Sequence, residues 1–211
     1  MRIFNIIANA QSRRVFQNMG EAFGYSDEAM ARAVRYFIPP ITKAIARRAE
    51  TTEGLLSVLE FLGSRRFDRF LDDARIFGHA EVQKEGERAL DYLFQRQARI
   101  RKIVENRAKV LPIDADTLMS MFPFLAVVIV GAIEVRTRRP LGAVLHRLSG
   151  GSADQRAVAN PYLALAHYLS EIEKEQRDKR RWKLFRFVAP QEDAADEERL
   201  RPRVEGFLQS A

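Results

Sequence analysis

MFPFLAVVIVGAIEV, residues 121–135, is the most apolar run in the chain, and what it packs against decides the fold. Three readings compete: a membrane anchor, a buried helix, or a lid over an active site. No charge falls between Asp116 and Glu134, but that window, 117–133, includes Thr117, Ser120 and Pro123. It is shorter than the roughly 20 apolar residues a spanning helix needs. Counted from Phe124, the apolar run is about ten residues, the length of a core helix. A helix that is apolar on all sides is buried, in lipid or among other helices. The rest of the chain supplies amphipathic helices to wrap it, so the buried core helix is the favoured reading. Arg136, Arg138 and Arg139 directly after the run are what an anchor would carry on its cytoplasmic side.

Working outward, almost every segment repeats its apolar residues with helical period, and none alternates as a half-buried strand does. Ile3, Ile6, Ile7 and Ala10 share a face that Val15 and Met19 continue, up to Gly20 and Gly24. That apolar start is too short and too interrupted by Asn5 for a signal peptide, whose apolar region runs roughly 7–15 residues. Ser26, followed by Asp27 and Glu28, predicts the start of a second helix through Met30, Ala33, Val34 and Phe37. Pro39-Pro40 predicts its end, because proline lacks an amide donor and restricts the residue before it. Pro40 then opens a further helix through Ile41, Ala44 and Ile45, and Thr51 or Thr52 caps the next, with Leu55, Leu59 and Leu62. Helical patterns also cover 67–77, 80–94 and a segment around Ile100, Ile103 and Val104. Asp114 is expected to cap the apolar helix itself.

The predicted fold is therefore all-α: a compact multihelical array around a buried apolar helix at about 114–136, with a C-terminal helical extension. The texture changes after His146. HRLSGGSADQRAVANP reads as a linker, which divides the chain into a domain at 1–146, a linker at 147–160 and a C-terminal part at 161–211. That last part holds a basic helix from Pro161 to about Phe187, then an acidic stretch and a short terminal helix.

The N-terminal two-thirds resembles the YidB-like bacterial domains, family 937 of the domains of unknown function. The likeness rests on the apolar start, on FGYSDEAMARAV, on Pro39-Pro40-Ile41, on TTEGLLSVLEFLG, on EGERALDYLF and on MFPFLAVVIVGAI. It covers about residues 1–145. Relatives often carry Gly directly after the position of Phe94, where this chain has Gln95-Arg96, and the chain is less Gly-rich and more basic. The resemblance implies a multihelical fold and assigns no catalytic residue.

The 211 residues suffice for one domain with a core, or one domain plus an appendage. The chain has no Cys, which excludes disulfides, thiolate metal sites and a cysteine nucleophile. Its formal net charge of +7 favours acidic partners. His79, His146 and His167 are far apart in sequence; His167 and Glu171 make only half of a metal site. Asp68, Asp72 and Asp73 are interleaved with Arg66, Arg69 and Arg75, which points to i, i+3 and i, i+4 ion pairing rather than acid–base chemistry. Signatures of phosphate loops, dinucleotide folds, kinases and serine hydrolases are absent, and no cofactor is implied.

The strongest surface signal is EKEQRDKRRWKLFRF, residues 173–187. Lys174, Arg177, Lys179, Arg180, Arg181, Lys183 and Arg186 surround Trp182, a pattern that suits phosphate contact with stacking, or an anionic lipid surface. A second basic helix, QRQARIRKIVENRAK, carries Arg96, Arg99, Arg101, Lys102, Arg107 and Lys109. Both stretches are also what a solvated helix face looks like. The expectation is a cytoplasmic, non-enzymatic helical domain that binds another protein or itself. The alternative partners are nucleic acid and an anionic membrane surface, with no transmembrane span.

Overall fold

The computed structural model describes residues 2–148 and 160–186, with the side chains of 177–186 excepted. Among the described residues there are eight α-helices and no strand: α1 (Ile3–Asn9), α2 (Val15–Phe23), α3 (Asp27–Arg48), α4 (Thr52–Arg65), α5 (Ala80–Phe94), α6 (Gln97–Ala108), α7 (Ala115–Leu148) and α8 (Pro161–Arg186). Contacts divide the chain into two units, one up to Arg139 and one from Pro140.

In the first unit the apolar stretch is the centre. Leu118, Met121, Phe122, Leu125, Val127, Val128, Ile129 and Val130 have no exposed surface. By length and composition α7 could cross a membrane, yet 83% of its most apolar window is buried inside the protein. Each fully buried Leu, Val or Phe contributes roughly 1.5–3 kcal/mol relative to exposure. Three helices reach α7 through aromatic rings: Phe37 of α3 and Phe94 of α5 pack on Phe122 at 4.6 and 6.0 Å, and Phe23 of α2 packs on Phe124 at 5.6 Å. Where α5 crosses α7 the backbones themselves meet. A Cβ on Gly86 would lie 2.7 Å from Pro123 Cα and closer still to the Pro123 carbonyl. Only a residue with no side chain permits that approach.

Three helix starts follow the sequence. Ser26 Oγ accepts from Ala29 N–H, Thr51 Oγ1 from Gly54 N–H and Asp114 Oδ1 from Thr117 N–H. Each satisfies an amide that the helix leaves without a partner.

Three features depart from the sequence reading. First, α3 runs unbroken through Pro39 and Pro40. A proline at 40 leaves the Tyr36 carbonyl without its helical donor, and Arg107 Nε of α6 donates to that oxygen at 3.0 Å. Thr42 Oγ1 donates to Ile38 O at 3.0 Å and Pro39 O at 3.1 Å, which steadies the next turn. Second, the N-terminal apolar face is split. Gln11, Ser12 and Arg13 all have positive φ and form a left-handed turn between α1 and α2. Such backbone costs L-residues roughly 1–2 kcal/mol each, and the Gln11 side chain holds it. Gln11 Nε2 donates to Asp73 O and Gln11 Oε1 accepts from Asn18 Nδ2, both at 2.8 Å. Third, α7 does not stop near 136 but continues through Pro140 to Leu148.

In the second unit the tail of α7 and the start of α8 bury Leu145, Tyr162, Leu165 and Ala166. Tyr168 Oη donates to Leu148 O at 3.3 Å. Beyond Leu169 no described residue of α8 is buried.

Candidate functional site

The described residues offer three places where charge or exposure departs from a plain helical core. The most deeply set is an ionic knot at the C-terminal end of the apolar run. Glu134 has no exposed surface. Its Oε2 accepts from the Asp68 backbone N–H at 3.0 Å, and its Oε1 accepts from Arg138 Nη2 at 2.8 Å. The same Arg138 nitrogen donates to Asp68 Oδ2 at 2.8 Å. Asp68 also stands 3.8 Å from Arg66. Burial pushes the Glu134 carboxyl above its ordinary value, against the opposing pull of the Asp68 amide and Arg138.

The knot fastens a 3-10 turn, Phe67–Phe70, onto α7. A Cβ on Gly131 would lie 2.6 Å from the Phe67 carbonyl oxygen, so this is again a backbone-to-backbone contact. A buried charge left unpaired is costly, so the bonds of Glu134 to Arg138 and to the Asp68 amide hold the segment they join, although Asp68 Oδ1 makes no hydrogen bond of its own. The segment expected as a helix at 67–77 is therefore a short turn followed by irregular chain. Its aspartates pair differently from the helical expectation. Asp73 meets Arg75 two residues away, and the Arg75 amide holds the Asp73 carboxyl below its usual range. Asp68 reaches across to α7, and Asp72 is exposed. Glu134 with Arg138, an i, i+4 pair ending the uncharged window, was the available signal for this knot.

The second place is a cleft of about 280 Å³ lined by residues that include Phe70, Asp73, Arg75, Ile76 and His79. His79 is exposed and precedes α5, while His167 is half-buried on α8 with Glu171 exposed one turn on. Among the described residues no three His, Cys, Asp or Glu side chains converge on a point.

The third is the basic surface. Of the residues singled out in the C-terminal helix, Lys174 is exposed on α8. Arg177, Lys179, Arg180, Arg181, Trp182, Lys183 and Arg186 are carried on the same helical backbone, which runs to Arg186; their side chains lie outside the described residues. The acidic stretch after them also lies outside. The second basic helix is fully described. Along α6 only Ile100 and Val104 are buried. Arg96, Arg99, Arg101, Lys102 and Lys109 are exposed, and Arg107 is turned inward onto Tyr36.

With the fold in view, residues 5–136 match the family model described as a bacterial protein of unknown function (DUF937). The chain belongs to that family. The match takes in the first unit except its ends, including α7 as far as Arg136 and both residues of the Glu134–Asp68 pair. No curated protein and no solved structure matches the chain. The membership also gives a reading of Gln95. This residue has φ of 62°, in the left-handed region, at the turn between α5 and α6. Glycine at that position adopts the conformation without strain.

Proposed function

We propose that this chain is a non-enzymatic helical domain that works by binding a protein, a second copy of itself being the first candidate. The observation that carries the reading is in the second unit. Val144, Leu148 and Leu163 are 42%, 43% and 41% exposed on a helical pair that buries few residues of its own. So small a core supplies little stability, and exposed aliphatic side chains on it gain by being covered. The test is sedimentation velocity over a wide concentration range. The wild-type mass is expected to rise with concentration, and the Val144→Asp/Leu148→Asp double variant is expected to stay monomeric with an unchanged melting temperature. A monomer at every concentration removes the self-assembly version.

A second reading has its own support. Because the helical backbone of α8 continues to Arg186, its basic residues share one rod with Lys174, suited to nucleic acid or an anionic membrane surface. Trp182 reports on it directly. Salt-sensitive quenching by nucleic acid, or a blue shift with anionic vesicles, supports this reading; emission unmoved by both removes it.

A further inference from the structure

We propose that α6 is a docking element for duplex DNA, separate from the C-terminal helix and from any protein-binding face. Residues 96–109 carry six cations, Arg96, Arg99, Arg101, Lys102, Arg107 and Lys109, against one carboxylate, Glu105. Arg107 is half-buried and donates to the Tyr36 carbonyl of α3. The other five are exposed and have no ion pair among the described residues. Like charges one turn apart on a helix repel by a few tenths of a kcal/mol each. Glu105, one turn from Arg101, Lys102 and Lys109, offsets part of this, and a polyanion would offset the rest.

The shape fits one kind of polyanion. Ile100 and Val104 are buried and Ile103, Arg107 and Ala108 half-buried along one face of α6, and its opposite face is exposed. The helix has 12 residues, about 18 Å at roughly 1.5 Å per residue. An exposed helix face of that size matches the major groove of B-form DNA, which is about 12 Å wide, with its cations toward the phosphates. It follows α5 through a turn of two residues, Gln95 and Arg96, so its position is set by a helix whose Gly86 lies against the α7 backbone. On the other side Arg107 ties α6 to α3, where exposed Lys43 lies two turns beyond Tyr36 on the same face. The nearby acids are Asp91, which accepts from Gln97 Nε2 at 3.0 Å, and the exposed Glu105.

A lipid surface fits less well. An interfacial helix lays an apolar face into the membrane. In α6 the apolar line faces the core, and the large apolar side chains exposed beside it are two, Val110 past its end and Tyr36 of α3, too few for an apolar face.

The experiment is fluorescence anisotropy of a labelled short mixed-sequence DNA duplex, titrated with the full chain at several salt concentrations. Single-stranded RNA and anionic phosphatidylserine vesicles are run in parallel. The wild type is expected to bind the duplex with an affinity that falls steeply with salt. The Arg99→Ala/Lys102→Ala variant, its helical circular dichroism and melting unchanged, is expected to bind at least ten-fold more weakly. Its plot of log affinity against log salt should be shallower by about 1.8, since each phosphate contact adds about 0.9. An Arg180→Ala/Arg181→Ala variant is expected to keep that slope difference when combined with the α6 changes. Four results overturn the proposal: no duplex binding at low salt, wild-type affinity and slope in the α6 variant, binding lost only through Arg180 and Arg181, or binding confined to RNA or vesicles. The third would assign the contact to the C-terminal helix instead.

Discussion

The two longest helices of this protein use their length in opposite ways. α7 buries nearly every residue between Leu118 and Ile133. Among the described side chains of α8, the buried ones lie in its first turns, at Pro161, Tyr162, Leu165 and Ala166. The difference is compositional. Eighteen residues lie between Asp116 and Val135 with a single charge, Glu134, among them, whereas α8 changes from apolar to charged within two turns of Leu169. Helical propensity forms both rods; apolar surface alone decides which becomes a core.

The contrast breaks most severely at the centre. Leu125→Ala on α7 is expected to destabilise the fold by about 3–4 kcal/mol in urea unfolding, while Leu163→Ala on α8 should change it by less than about 0.5 kcal/mol. Equal effects would mean that α8 is as much a part of the core as α7. Next in size is the ionic knot. Removing one partner of a buried pair typically costs about 3–5 kcal/mol. Because Arg138 is partly exposed and can rehydrate, Glu134→Ala should fall near about 2–3 kcal/mol. Asp68 and Arg138 still pair with each other after that change, so the group it orphans is the Asp68 amide. Glu134→Gln, which keeps an acceptor for that amide, should lose less, and an equal loss would assign the cost to the Arg138 contact instead.

A smaller and opposite effect is expected at Gln95. Glycine there relieves left-handed strain of about 1–2 kcal/mol and costs about 0.5–1 in chain entropy, so Gln95→Gly should stabilise by roughly 0.5–1 kcal/mol. Loss of stability would show that the Gln95 side chain has a role of its own. The smallest effect concerns the cap of α7. Thr117 and Tyr25 hold the Asp114 carboxyl at about 2, below its ordinary 3.8. With the folded value the lower one, its contribution is complete above 3.8 and is lost as pH falls toward 2. Asp114→Asn should therefore flatten the acid limb of the melting curve in that window and leave the neutral limb nearly parallel to wild type.

How much of this was visible in the sequence depends on whether the governing contacts are local. The core helix was legible because 117–133 lacks charge on every face, and the caps at Ser26, Thr51 and Asp114 were legible because they act within three residues. The continuation of α3 through Pro39-Pro40 was not, since its compensation comes from Arg107, 71 residues away. Nor was the left-handed turn, which depends on Gln11 reaching the Asp73 carbonyl. The basic character of 96–109 could be read directly. That five of its cations have no ion pair among the described residues could not, because α5 carries carboxylates that sequence spacing alone would allow to meet them.

The central position of α7 has a consequence for synthesis. Its partners, Phe23, Phe37, Phe67, Gly86 and Phe94, all precede it in the chain. Translation at about 5–20 residues per second leaves those partners waiting on the order of seconds before α7 follows them out of the ribosome. For that interval the nascent protein is a set of amphipathic helices with no centre, their greasy sides turned to water or to a chaperone. The core is inserted last, like a keystone, and a ribosome that stalls before Asp114 would release a chain with nothing to close around.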